Sequence, residues 1–242
     1  LRDRTAGLTL RRLKEDVLDL PDKIITPVYL RLKSKAYEEI MGEYYDWYDK
    51  NPDESKSLTV QFTKLTKIRQ VIADEKITQT IELAENIIEQ GKKVIIFCNF
   101  TDSLNKICEH FGKAAVKVDG SMSKPERQHS VDSFQDSDKI KVFVGNIKAA
   151  GVGITLTAAE AVIMNDLSFL PSDHAQAEDR AYRYGQKNNV LVYYPIFENT
   201  IEGIIYDILN NKKQVIATVM GDNQNTADAA EEILKRIQEM RR

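Results

Sequence analysis

Cysteine is scarce in this sequence. Cys98 and Cys108 are the only two among 242 residues, too few for the disulfide framework of a small secreted scaffold. Histidine is almost as rare, and His110, His129 and His174 show neither metal-ligand spacing nor the context of a catalytic triad. No apolar run approaches the roughly 18 residues of a membrane span, and the opening LRDRTAGLTLRRLKEDV lacks the apolar core of a secretory signal. We therefore expect no metal site, no membrane and an intracellular, reducing setting. Two motifs are also missing. GxxxxGK[ST] occurs nowhere; the nearest fragment, Gly91-Lys92-Lys93, lacks the leading glycine and the hydroxyl. No DExH-like acid follows an apolar strand. Without a phosphate cradle and a magnesium hydroxyl, the chain can lend side chains to a nucleotide but cannot hold and hydrolyse one unaided.

What is present is ordinary globular material. Hydrophobic residues make up 42% and charged residues 29%, enough for a sizeable core. At about 150 residues per domain, the length fits one large domain or one domain with an insertion. The net charge of −3 does not suggest a free-standing nucleic-acid binder, but the charge is uneven along the chain. The chain opens on Leu1, and we expect it to be a piece of something longer.

Three textures follow one another, and no internal repeat is found. Residues 1–35 are basic (Arg11, Arg12 and Lys14 among others) and are interrupted by Pro21 and Pro27, with IITPVYLRL reading as extended. Residues 34–73 read as a helical hairpin. Ser34 is placed to cap the first arm, Asn51-Pro52-Asp53 stops it, and Leu58, Phe62, Leu65, Ile68 and Ile72 mark the second arm at helical spacing. From Ala36 to Glu54 there are seven acids and one lysine; from Ser55 to Ala73 there are Lys56, Lys64, Lys67 and Arg69 and no acid. Either the two arms attract each other or the basic arm tracks a phosphate backbone. From residue 76 to 220, apolar strands (KKVIIFCNF, VKVDG, KIKVFVGN, VIM, VLVYYPIF) alternate with helical stretches, one of them running past Asp173 to about Tyr184. This alternation predicts a parallel sheet covered on both faces, which binds ligands at the carboxyl ends of its strands. The tail from Asp222 ends in an amphipathic stretch, ILKRI.

Three stretches could carry chemistry. In QAEDRAYRYGQ, residues 176–186, Gln176, Arg180 and Arg183 are spaced by four and then three and share one helical stripe. A glutamine and two guanidinium forks suit phosphate oxygens, although Asp179 and Arg183 at i, i+4 also suit a solvated ion pair. In NIKAAGVGITLT, residues 146–157, Gly151 and Gly153 free a turn to approach phosphate and Thr155 offers a hydroxyl; a plain tight turn reads equally well. The third glycine of a dinucleotide fingerprint is absent. In Asp119-Gly120-Ser121 the aspartate can cap a turn, or the helix that follows can face an anion.

The order of these motifs resembles the second RecA-like lobe of SWI/SNF-family DNA translocases, within helicase superfamily two. The resemblance rests on LRRLKEDVLDLPDK (10–23), KVIIFCNF (93–100), VDGSMSKPERQHSVDSF (118–134), VFVGNIKAAGVGITLTAAEAVIMND (142–166) and QAEDRAYRYGQ (176–186). It implies an α/β, RecA-like three-layer sandwich with a mostly parallel sheet and a helical-hairpin protrusion. The division it implies is residues 1–27 as inter-lobe connection, 28–75 as protrusion, 76–220 as the lobe and 221–242 as a tail helix. It implies ATP with Mg2+, held mainly by an N-terminal lobe outside this chain, and a double-stranded DNA track. Carried over by motif, Gln176, Arg180 and Arg183 are catalytic, and with Gly151 and Gly153 they face the nucleotide; Asn99, Asp119, Gly120 and Thr155 face DNA. The location implied is the cytoplasm or nucleoid in a prokaryote or virus and the nucleus in a eukaryote. Phe169-Leu170-Pro171 stands where the family often has Trp-Asn-Pro, and Tyr184 where isoleucine is common. The rival readings are a strand-displacing helicase, a docking module that kept the fold without catalysis, and a nucleotide-sugar or dinucleotide binder.

Overall fold

The computed structural model describes residues 20–149, 153–218 and 224–241. Six strands, β1 (Lys23–Arg31), β2 (Val94–Cys98), β3 (Ala115–Val118), β4 (Val142–Asn146), β5 (Ala161–Met164) and β6 (Val190–Glu198), form one sheet. Their order is β1-β6-β5-β2-β4-β3, and every pairing is parallel. The helices are α1 (Lys35–Lys50), α2 (Leu58–Glu75), α3 (Ile77–Glu89), α4 (Thr101–Phe111), α5 (Lys124–Asp136), α6 (Pro171–Ala181), α7 (Ile201–Thr218) and α8 (Gln224–Glu239).

The continuous apolar strands are buried on both faces because successive side chains point to opposite sides of a sheet. Val94, Ile96 and Cys98 of β2 join Val142, Val144, Ala161 and Ile163 in the layer under α3 and α4. The alternate residues Ile95, Phe97, Phe143, Val162 and Met164 join the opposite layer with α5, α6 and α7. This is the three-layer α/β sandwich that the sequence implies.

Residues 23–31 pair with β6 over their whole length, so the boundary expected at residue 27 falls inside a strand at the edge of the sheet. Pro27 is tolerated there because an edge strand needs no second partner for its missing N–H. The protrusion α1–α2 forms as expected, with the Ser34 side chain accepting from Tyr37 N. Among the described residues one ion pair joins the acidic and basic stretches, Lys56 Nζ to Asp53 Oδ1 at 3.0 Å in the turn between the helices, and none joins α1 to α2. Instead Tyr44 OH donates to Gln61 Oε1 at 3.1 Å, and Lys64 Nζ lies 5.0 Å from the centre of the Trp47 ring. The hairpin is anchored to the lobe where Ile201 N donates to Tyr37 OH at 3.2 Å. In α8, Ile233, Leu234 and Ile237 are buried, and Tyr45 OH of α1 donates to Ile237 O at 3.0 Å. The tail helix therefore packs where the protrusion meets the lobe.

Candidate nucleotide and nucleic-acid faces

Helix α6 carries the arginine-rich stretch and is held from several sides. Pro171 opens it at the first turn, a position that needs no N–H. Its buried Glu178 accepts from Lys23 Nζ of β1 at 2.9 Å and from Tyr194 OH of β6 at 2.7 Å. These bonds fix the helix on the sheet and turn Gln176 outward into solvent.

The helix ends at Ala181, three residues earlier than the sequence pattern predicts. Tyr182 leaves helical geometry at φ −87°, ψ 77°. The cause is competition for the last carbonyls. Arg180 O accepts from Leu156 N at 2.9 Å, and Ala181 O accepts from Gln186 Nε2 at 3.2 Å. Carbonyls satisfied by another segment no longer need N–H groups from a following turn. Arg183 therefore does not extend the Gln176–Arg180 stripe. It lies in the exposed turn after the helix, closed by Gly185 at φ +97°, and no Asp179–Arg183 ion pair forms. Among the described residues the Arg183 side chain has no hydrogen-bond or ion-pair partner.

Arg180 is differently placed. Its Nε donates to the Gln176 carbonyl at 3.1 Å and its Nη1 to the Ile154 carbonyl at 3.2 Å. Burial lowers its pKa first, the neighbouring Arg183 charge lowers it further, and Asp179 opposes both. A guanidinium remains charged under such a shift. Two cations stand together without a bonded carboxylate between them, an arrangement that favours an incoming anion.

The glycine stretch meets this helix. Gly153 sits at φ +76°, which a side chain would strain, and Ile154 and Leu156 on either side of Thr155 are both hydrogen-bonded to Arg180. The structure thus brings Gly153, Thr155, Gln176 and Arg180 together, with Arg183 at their edge. Gly151 lies outside the described residues, as do the basic residues Arg11, Arg12 and Lys14. Gln186, which the sequence reading passed over, is the clamp of the assembly. Its buried amide donates to Thr157 O at 3.2 Å, Ala159 O at 2.9 Å and Ala181 O at 3.2 Å, and its carbonyl accepts from Lys187 N and Asn188 N. Its signal was its place at the end of the quoted motif.

The remaining candidates lie at the carboxyl edge of the sheet. The register pairs Cys98 with Asn146, Phe97 with Met164 and Val118 with Gly145. Asn99, Asp119, Asn146 and Asn165 consequently stand at nearly one level across four adjacent strands. They are wired together: Asn146 Nδ2 donates to Asn99 O at 3.0 Å, and Asn99 N donates to Asp166 Oδ1 at 2.7 Å. Asp166 is fully buried, and burial raises its pKa against the opposing bonds from Asn99 and Asn165. Asp119 does not face outward. Its carboxylate accepts from Ser121 N at 2.9 Å and from Ser121 Oγ, and these bonds, ahead of Lys117, hold its pKa below the ordinary aspartate value. It shapes the turn that exposes Gly120 and Ser121. At Gly120 a Cβ would meet open space, so packing does not demand glycine there. Thr155, expected with Asn99 to face DNA, lies in the segment bonded to Arg180.

Between this edge and α2 runs a groove of about 730 Å³, lined by Thr59, Phe62, Thr63, Thr66 and Arg69 on one side and by Asn99, Phe100, Asn146, Lys148 and Phe169 on the other. Among the described residues, no group of three or more His, Cys, Asp or Glu side chains is placed to hold a metal ion, and no helix is long and apolar enough to cross a membrane.

Comparison with known proteins is consistent with this geometry. Residues 75–185 match the family described as the helicase conserved C-terminal domain. An uncharacterised ATP-dependent helicase of Mycoplasma pneumoniae is 31% identical over 97% of this chain and 25% of its own length. The Caenorhabditis elegans homologue of SWI/SNF-related matrix-associated actin-dependent regulator of chromatin subfamily A-like protein 1 is 34% identical over 91% of this chain and 33% of its own length. The Sulfolobus solfataricus SWI2/SNF2 ATPase core, solved in complex with double-stranded DNA, superposes with a TM-score of 0.71 at 27% identity, covering 99% of this chain and 54% of that one. The chain thus spans about a quarter to a third of the two relatives.

Proposed function

Because the chain is the C-terminal RecA-like lobe of a SWI/SNF-family helicase, we propose that it is one half of an ATP-driven motor that moves along double-stranded DNA. The observation that carries this reading is the Arg180–Arg183 pair: two guanidinium groups beside the Gly153 turn, with Arg183 left without a partner among the described residues. Such groups stabilise the charge that spreads over phosphoryl oxygens as water attacks the terminal phosphorus and ADP leaves.

The donor set fits ATP and not its metal. Gln176, Arg180 and Arg183 offer hydrogen-bond donors and positive charge, and Mg2+ with the phosphate cradle belongs to the lobe outside this chain. When bound, the metal would neutralise charge between the terminal phosphates; this chain contributes only the opposite wall of the site. Arg183 is the finger, free to reach across. Arg180 contributes charge and also ties Ile154 and Leu156 to the helix, so the nucleotide wall and the loop from β4 move together. That loop leaves β4 at Asn146, the residue bonded to Asn99. The sheet edge at Asn99, Gly120, Asn146 and Lys148 is proposed to follow one phosphate backbone through amide and ammonium donors. An acidic chain does this with a narrow donor track while its acids stay solvated elsewhere.

The full-length protein tests the reading. We expect duplex DNA to stimulate its ATP turnover and expect it to displace the third strand of a triplex without unwinding a partial duplex, while residues 1–242 alone turn over no ATP. DNA-independent turnover, or unwinding without triplex displacement, contradicts it.

A further inference from the structure

We propose that Arg69 is a positioning residue that links the protrusion to both working faces of the lobe by locking the β2–α4 and β5–α6 loops to one another. The inference rests on the motor reading above and adds to it a residue whose charge the sequence reading assigned either to attraction between the hairpin arms or to a phosphate contact. Among the described residues the Arg69 guanidinium forms no ion pair with an acid of the first arm. Arg69 sits near the root of α2, and its guanidinium turns inward from the groove wall. Its Nη2 donates to the carbonyl of Leu167. Its carbon lies 4.1 Å from the centre of the Phe169 ring and 5.5 Å from that of Phe100. Phe169 is held from its other side by Phe62 of α2, edge to face at 4.9 Å and 85°.

The two stacked rings belong to different loops with different tasks. Phe100 follows Asn99, the proposed backbone contact. Phe169 stands two residues before Pro171, where the helix bearing Gln176 and Arg180 begins. Asp166 closes the circuit, since its carboxylate takes the Asn99 N–H at 2.7 Å and its field and that of Glu202 offset the Arg69 charge. Among the described residues no carboxylate lies within ion-pair distance of Arg69, so this half-buried cation is not half of a salt bridge there. What it supplies is shape, a planar fork that stacks on rings and donates in its own plane, which a lysine cannot reproduce. Movement of α2 therefore reaches both loops through one side chain.

The test uses full-length protein, steady-state ATP turnover as a function of duplex DNA concentration and salt, and the variants Arg69→Lys, Phe169→Leu and the double change. We expect Arg69→Lys to lower the DNA-saturated turnover number about tenfold. The DNA concentration at half-stimulation and its salt dependence should move less than about twofold. The double variant should lose no more than the worse single one, because both changes break the same link. Several results overturn the proposal: unchanged turnover, losses that multiply in the double variant, or a loss that matches the unfolded fraction measured by melting. A large rise in the half-stimulating DNA concentration with a shallower salt slope would make Arg69 a direct phosphate contact instead. If the wild-type protein shows no DNA stimulation, the motor reading itself fails, and that is seen before any variant is compared.

Discussion

Three side chains in the arginine-rich stretch do three different jobs, and their surroundings separate them. Arg183 is exposed and has no partner among the described residues. Arg180 is partly spent on the Ile154 carbonyl, so removing it loosens the loop as well as removing a charge. Gln186 is buried; it fills a junction of three chain segments with five hydrogen bonds. Replacing Gln186 with alanine leaves buried carbonyls and N–H groups unpaired, each carrying a desolvation cost of about 1–3 kcal/mol. We expect Gln186→Ala to lower the unfolding free energy of residues 1–242 by at least about 2 kcal/mol, measured in urea. Gln186→Glu keeps the acceptors and loses the donors, so it should also destabilise. A change within about 0.5 kcal/mol, the ordinary range for a surface position, would show that the clamp is dispensable.

At the scale of elements, the strands and most helix positions were legible because their causes are local. Short continuous apolar runs wrote β2, β4 and β5 into the sequence, Ser34 marked a helix start, and Gly91 and Gly112 with positive φ stand where helices stop. The end of α6 was not legible, because its cause is the Leu156 N–H, 24 residues before the Arg180 carbonyl it takes. Nor was the sheet membership of β1, which depends on a partner strand more than 160 residues away. The buried ion pair between Lys76 and Glu202 was hidden for the same reason. It joins the α2–α3 junction to the start of α7, and Glu202 also accepts from Phe197 N at 3.1 Å. Burial raises the Glu202 pKa against the opposing charge of Lys76. Lys76→Met would strand a carboxylate in the interior and should cost about 3–5 kcal/mol. A raised carboxyl pKa means that the fold disfavours the ionised form, so the loss should be largest at neutral pH and shrink as acid protonates Glu202. Adding Glu202→Gln, which still accepts from Phe197 N, should restore most of the stability. Urea unfolding of the single and double variants at several pH values checks this, and additive losses would contradict it.

For the molecule as a whole, the fold separates two faces and connects them. We propose Gln176, Arg180, Arg183 and the Gly153 turn as the nucleotide wall; the sheet edge carries Asn99, Gly120, Asn146 and Lys148. Between them run the loop from β4 to Arg180 and the Arg69 stack. Motif order alone made the pairing of these faces readable, but not which residues stand on which. In the proposed arrangement Thr155 belongs to the segment tied to Arg180, and the Asp119 carboxylate shapes its own turn. We propose that this lobe completes an ATP site whose other wall lies beyond the chain. The most direct measurement is DNA-stimulated ATP turnover of full-length Arg183→Ala, alongside the melting temperature of residues 1–242 with the same change. We predict a fall of about a thousandfold or more, the range for a lost arginine finger, with an unchanged melting temperature. Turnover within about threefold of wild type, where a catalytic finger would have cost several kcal/mol of barrier, would contradict it.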